Sequence, residues 1–217
     1  MKIHASWRCV QAFSRNDLLV VLIVIGLLTA LLLPAIAKAK ARAQRISCVC
    51  SLKQIGLSFR QWALDHTNAY PMAISTNFGG TLEHVATGEV WPHFQVMSNE
   101  LNTPVVLVCP SDRGRFRVKH FGSNLSNSNL SYFVGLDADD SKPQMFLAGD
   151  RNLVGGTILP NQILLLTTNN AVRWSQNMHK NQGNVAMVDG SVQGFSMSKL
   201  QEALAHTGVV TNRLAMP

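Results

Sequence analysis

Acidic residues are nearly missing from the first sixty positions, where Asp17 stands alone against nine Lys and Arg. Charge of either sign is sparse along the whole chain, at 14% of residues against 47% hydrophobic, which excludes an intrinsically disordered protein. The net charge of +7 belongs to that opening segment, because residues 61–217 hold ten basic and eleven acidic side chains. A nucleic-acid-binding domain would carry its Lys and Arg on the folded body, so no nucleic-acid partner is expected. Four cysteines in 217 residues are too few for a miniprotein built on disulfides. Catalytic signatures are lacking too: there is no G-x-S-x-G, H-E-x-x-H, G-x-x-x-x-G-K or dinucleotide fingerprint. The expectation is a protein that is not an enzyme.

What is present is one long apolar run. Leu18 to Ala37 reads LLVVLIVIGLLTALLLPAIA, twenty residues without a charge. At 1.5 Å per residue such a helix spans about 30 Å, the hydrocarbon thickness of a bilayer. Lys2, Arg8 and Arg15 precede it and Lys38, Lys40, Arg42 and Arg45 follow it, so flanking charge does not settle its orientation. Past the run, Ala39, Ala43, Ile46, Leu52, Ile55, Phe59 and Trp62 recur mostly at three- and four-residue steps, one helix face. With no stop before Asn68-Ala-Tyr-Pro71, residues 17–66 read as one helix of about 75 Å. Pro34 cannot donate to the carbonyl of Ala30, and a kink is expected there. Ala35-Ile36-Ala37 also fits a signal-peptidase site, which would release a soluble secreted protein. An uncleaved anchor is a further reading of the same residues.

After Pro71 the chain changes to short apolar runs separated by Gly, Asn, Ser and Pro. Residues 105–109, 130–134, 145–148 and 163–168 read as strands, 94–101 as a short helix and 122–129 as a polar loop. Asp189-Gly190 is a hairpin signal between strands at 184–189 and 191–195. A helix over 197–206 follows, capped by Ser196 or Ser198. The fold class is α+β: a long N-terminal helix packed on a small antiparallel sheet.

Ala12-Phe13, an acid four residues after the Phe (Asp17) and about twenty apolar residues together resemble a type IV prepilin or type II secretion pseudopilin. The sequence departs from that pattern in having Ala12 where Gly is usual, Asp17 for Glu, and Arg15-Asn16 for an apolar pair. The stretch from His179 to Asp189-Gly190 is similar to the "H-x9-DG" C-terminal domain attached to many prepilin-like proteins. Other matching segments are Cys48 with Ser51-Leu52-Lys53-Gln54, Cys109-Pro-Ser-Asp112, Tyr132-Phe133-Val134-Gly135, Ala148-Gly149-Asp150 and Asn212-Arg213-Leu214. The resemblance implies a leader at 1–12, a transmembrane helix at 13–37, an amphipathic continuation at 38–66 and a periplasmic head at 67–217. It implies cleavage at Ala12/Phe13 by prepilin peptidase, methylation of the new amine, and a helix-kinking Pro34. Other pseudopilin subunits would be its partners, the inner membrane its location, and the N-terminus would lie in the cytoplasm. A carboxylate just inside a bilayer is costly alone, so Asp17 would pair with a neighbouring subunit's terminal amine. The other reading is a membrane-anchored or secreted periplasmic binding protein with no filament role.

Three groups in the head carry candidate chemistry. Chain reversal at 181–183 would bring His179 to the strand of Asp189, as a proton-transfer pair, as half of a metal site, or as a structural hydrogen bond beside a tight turn. Asp137, Asp139 and Asp140 make calcium a candidate cofactor, since some major pseudopilins bind it near the C-terminus; a solvated acidic turn is the plainer reading. Cys48 and Cys109 are candidates for a disulfide pinning the helix to the head, with free thiols or Cys50 as alternatives. A zinc site on Cys48-x-Cys50 finds no second Cys/His pair at ligand spacing, so no metal site is expected from that motif.

Overall fold

A computed structural model describes residues 14–122 and 124–217. The chain divides into two units between Arg42 and Ala43, and helix α1 (Arg15–Leu64) contributes to both. At its start the Asn16 N–H donates to Ser14 Oγ at 3.3 Å. The Ser14 N–H donates to Asp17 Oδ2 at 3.0 Å. The Ser14 hydroxyl thus caps the helix start and the Asp17 side chain reaches back to the Ser14 N–H, which puts a carboxylate at the positive end of the helix dipole.

In the first unit the side chains from Leu18 to Ile36 are exposed, on a helix long and apolar enough to cross a membrane. Thr29, the single hydroxyl in the run, donates to the Ile25 carbonyl at 2.7 Å, so it presents no open donor to lipid. Pro34 lies inside the helix.

In the second unit α1 buries Cys48, Leu52, Ile55, Phe59 and Trp62, spaced four, three, four and three apart as one face requires. Thr67 and Asn68, at φ 56° and 60°, end the helix. The Asn68 N–H bonds the Ala63 carbonyl at 2.9 Å, closing the last turn in the manner of a Schellman cap. Short helices α2 (Trp91–Gln95) and α3 (Ser98–Leu101) follow.

The strands are β1 (Tyr132–Gly135), β2 (Phe146–Asp150), β3 (Leu153–Val154), β4 (Thr157–Ile158), β5 (Ile163–Thr167), β6 (Arg173–Trp174), β7 (Gly183–Met187), β8 (Val192–Phe195) and β9 (Thr211–Ala215). Seven of them form one sheet in the order β4-β5-β9-β1-β2-β7-β8, and β3 pairs with β6 separately. All pairings are antiparallel. Both faces of the sheet are covered. Tyr132, Val134, Ala148, Ala186 and Ala215 share a core with α1. Phe133, Val185, Met187 and Leu214 share the other core with Leu200 and Leu204 of α4 (Met197–Ala205). The Ser196 side chain caps α4 by accepting from the Lys199 N–H.

Three expectations need correction. Residues 105–109 are not a strand: a 3-10 helix runs Pro104–Leu107, begun by the proline and capped by the Thr103 side chain. The helix expected over 94–101 is two helices, α2 and α3. The hairpin at Asp189-Gly190 has a three-residue turn, Val188-Asp189-Gly190. It is closed by Gly190 N–H to the Met187 carbonyl and Met187 N–H to the Ser191 carbonyl, with positive φ (83°) at Gly190.

Two buried glycines predict opposite outcomes. A Cβ on Gly56 would meet only the Ala186 Cβ, at 3.8 Å, so Gly56→Ala gains helix propensity and stabilises by about 1 kcal/mol. A Cβ on Gly183 would fall 2.3 Å from the Trp174 ring, so Gly183→Ala destabilises by about 1–3 kcal/mol. Denaturant midpoints of the full chain in detergent check both.

Candidate functional site

Several of the segments that carried the resemblance converge on one buried place. Cys48, from the helix, and Cys109, just past the 3-10 turn, are joined as a disulfide with Cα atoms 5.3 Å apart. Both are fully buried, while Cys50 is free and exposed. The Nε2 of His179 lies 3.5 Å from Cys109 Sγ. The same nitrogen is 3.4 Å from Asp150 Oδ2, at the end of β2.

Local geometry explains how His179 gets there. Lys180 and Asn181 both take left-handed conformations, at φ 52° and 63°, turning the chain sharply between His179 and β7. Such conformations are unfavourable for a side chain as long as lysine and persist only where the surroundings hold them. Asp150 is held by Asn184, whose backbone N–H and side-chain amide donate to Oδ2 at 2.7 and 2.8 Å. The other oxygen, Oδ1, is buried with no hydrogen-bond partner.

Beside this junction Asp112 accepts two bonds from Arg151, at 2.6 and 2.9 Å, one from the Ser131 hydroxyl and one from the Gly114 N–H. Burial alone would raise its pKa, but Arg151 and these donors outweigh it and hold the carboxyl below its ordinary range. Asp150 differs. Its burial dominates and pushes it up to about 7 against the lowering effect of Asn184. Burial also pushes His179 down to about 4, and the positive charge of Arg45 adds to that. The pair therefore rests as a neutral imidazole beside a carboxyl that retains its proton to near neutrality.

The expected His179–Asp189 contact is not formed; the carboxylate facing His179 is Asp150. Asp189 serves its turn, where Oδ1 accepts the Ser191 N–H at 2.7 Å and the carbonyl accepts from Arg60 at 2.9 Å. Gly190 supplies that turn's left-handed residue. The calcium candidates line one open cavity beside Tyr70, but their oxygens do not form a close group of ligand atoms. Asp137 is paired with Arg213, Asp139 accepts the Ser141 N–H at 2.9 Å, and Asp140 is exposed. Among the described residues, the one His/Cys/acid group close enough to hold a metal is Cys48, Cys109 and His179.

At the other end of the chain, Ala12 and Phe13 lie outside the described residues. Asp17 caps α1 as described above. The roles of Asp150, Arg151 and Asn184 were missed by reading the sequence. Asp150 lay within a quoted matching segment but carried no spacing that tied it to His179. No family model, no curated protein and no solved structure matches this chain.

The pair has a worked-out pH signature when the disulfide is intact. Between pH 4 and 6.5 an unfolded chain carries one proton on His179, whose ordinary value is 6.5, and none on Asp150, whose ordinary value is 3.8. The folded chain carries one on Asp150 and none on His179, so the pair's contribution to stability is nearly flat. In Asp150→Asn only His179 remains, with its folded pKa depressed, and stability rises with pH from about 4 to 6.5. In His179→Gln only Asp150 remains, with its folded pKa raised, and stability falls as pH climbs from about 4 to 7. The slopes approach about 1.4 kcal/mol per pH unit with opposite signs, and urea midpoints at pH 4.5 and 6.5 read them.

Proposed function

We propose that this chain is a prepilin-like structural subunit, a pseudopilin of a type II secretion or type IV pilus-like system. The observation that carries the reading is α1 itself. Its capped N-terminal part, uncharged from Leu18 to Ala37, suits a bilayer, and one of its faces from Cys48 onward is built into the core of an antiparallel α+β head. In such a subunit, prepilin peptidase cuts at Ala12/Phe13 and the new amine is methylated. The inner membrane holds the helix with the head in the periplasm, and neighbouring subunits pack through their helices. In a single membrane-embedded helix a carboxylate is unfavourable, and Asp17 finds its neutralising charge in the next subunit's terminal amine. The Cys48–Cys109 bond would tie the head to the helix that transmits assembly forces, and oxidation in a periplasm would favour it.

Mass spectrometry of the membrane fraction tests processing. An N-methylated Phe13 at the mature N-terminus is the expected result. A chain beginning at Lys38 would mean a secreted soluble protein and overturn the proposal. An intact Met1 would leave a plain anchor, favouring the binding-protein reading.

Asp17→Asn separates the two uses of that carboxylate. The amide keeps a capping oxygen but loses the charge. Stability of the isolated chain should stay within about 1 kcal/mol of the parent, while cross-linked oligomer ladders in membranes fall at least about tenfold, the equivalent of about 1.4 kcal/mol in the subunit contact. Unchanged ladders would remove Asp17 from assembly.

A further inference from the structure

The junction of Cys48, Cys109, His179 and Asp150 has a geometry that a disulfide alone does not require. Zinc-class cations bind sulfur at about 2.3 Å, imidazole nitrogen at about 2.05 Å and carboxylate oxygen at about 2.1 Å, in a tetrahedron. The edges of such a tetrahedron are about 3.6 Å from sulfur to nitrogen and about 3.4 Å from nitrogen to oxygen. Cys109 Sγ to His179 Nε2 is 3.5 Å, and His179 Nε2 to Asp150 Oδ2 is 3.4 Å. The second distance is longer than an ordinary N–H···O hydrogen bond, which lies at about 2.7–3.2 Å. The sulfur–nitrogen edge of a coordination tetrahedron is thus already in place. The Asp150 carboxylate reaches the same nitrogen through Oδ2, which Asn184 occupies, and its unpartnered Oδ1 must turn in to supply the fourth ligand.

We propose that when Cys48 and Cys109 are thiols, they form with His179 Nε2 and the Asp150 carboxylate a tetrahedral site for a zinc-class divalent cation, which takes the place of the disulfide between α1 and the sheet. Four features support it. The ligand atoms of Cys48, Cys109 and His179 lie within 4.8 Å of one another. Asp150, with no exposed surface, has one oxygen without a partner, an acceptor left open in the core. Asn184 fixes that carboxylate through its other oxygen, as outer-shell donors do around metal ligands. Finally, two thiolates, a carboxylate and a divalent cation sum to one negative charge, and Arg45 is close enough for its positive charge to act on both His179 and Asp150.

The chemistry balances simply. The cysteines of a newly made chain are thiols. In an oxidised chain, a dithiol breaks the S–S bond by giving up two electrons and two protons as it becomes a disulfide. A phosphine instead gives the two electrons while water supplies both protons and the oxygen of the phosphine oxide, and two thiols result either way. Binding of the cation then displaces both thiol protons, and any proton on Asp150, to solvent. The sulfurs must move apart to about 3.8 Å, the sulfur–sulfur edge of the same tetrahedron. The proposal stands apart from the filament reading, since all four residues lie in the second unit, from Ala43 onward.

The test uses the full chain in detergent with Cys9→Ser and Cys50→Ser, so that Cys48 and Cys109 are the only thiols. After reduction with a phosphine under anaerobic conditions, the chain is titrated with Co²⁺ and competed with Zn²⁺. The expected result is one Co²⁺ per chain, with the visible bands of a tetrahedral ion and a near-ultraviolet thiolate-to-cobalt band, all abolished by one equivalent of Zn²⁺. The oxidised chain should give neither band. His179→Ala and Asp150→Asn, each reduced in the same background, should bind at least about tenfold more weakly. Equal binding by the reduced parent and both variants would overturn the site, as would equal binding by oxidised and reduced chains. Circular dichroism is recorded throughout. If reduction unfolds the head, Zn²⁺ must restore its fold and raise its melting temperature, and failure to do so also overturns the proposal.

Discussion

Everything in the head depends on the burial of one face of α1 from Ala43 onward. Cys48, Leu52, Ile55, Phe59 and Trp62 are nearly or fully removed from solvent, and side chains of this kind each gain roughly 1.5–3 kcal/mol from burial. Without them one side of the sheet, with Tyr132, Val134, Ala148, Ala186 and Ala215, would lie open. The small residues at three of those positions let the helix approach closely, and Gly56 over Ala186 does the same from the helix side. A boundary at residue 67 therefore does not separate an autonomous domain. One face of the helix from Cys48 to Ala63 belongs to the same core as the strands.

That dependence gives the Cys48–Cys109 bond its meaning. The bond closes a separation of 61 residues between the helix and the segment leading into β1, and it does so at the first buried position of the helix face, where both cysteines are fully out of solvent. The polar groups gathered around it are otherwise unfavourable inside a core. Asp112 is satisfied by four donors, whereas Asp150 retains an unpartnered oxygen and His179 stays neutral. An apolar pair at Asp150 and His179 would pack without the cost of desolvating either group. The chain retains both beside two sulfurs, and it places two consecutive left-handed residues, Lys180 and Asn181, next to them. Strain and buried polarity at one point are the usual mark of a position kept for something other than stability.

Long periodic elements were legible in the sequence, and short ones were not. The helix expected over 17–66 is found at Arg15–Leu64, because its face repeats without a stop for several turns. The strands β1, β2, β5, β7 and β8 and helix α4 fall close to the apolar runs that announce them. Strand β9 was not read as one, since Thr211-Asn-Arg-Leu-Ala carries its buried positions on Asn212 as well as Leu214. Asn212 is satisfied by Thr207, a partner that pattern alone does not supply. Strands of two residues, as in β3, β4 and β6, have no period to detect. In the site, spacing misled. The nine residues between His179 and Asp189 describe a turn and a strand, whereas the partner of His179 comes from β2. Likewise the zinc motif was sought in neighbouring residues, although the close ligand atoms belong to positions 48, 109 and 179.

The start of α1 raises the problem of a charged group with limited partners. In the isolated chain Asp17 spends Oδ2 on the Ser14 N–H, which holds the first turn of the helix together. A carboxylate has a second oxygen with its own lone pairs, so capping does not preclude an amine from a neighbouring subunit in the proposed filament. The shorter side chain suits the cap, because an aspartate three residues after Ser14 reaches back to its N–H through one oxygen. A longer glutamate would have more freedom and lose more entropy in holding both contacts. On this view the departure at Asp17 is compatible with assembly, provided that the cap and the intersubunit pair are made by different oxygens of the same side chain.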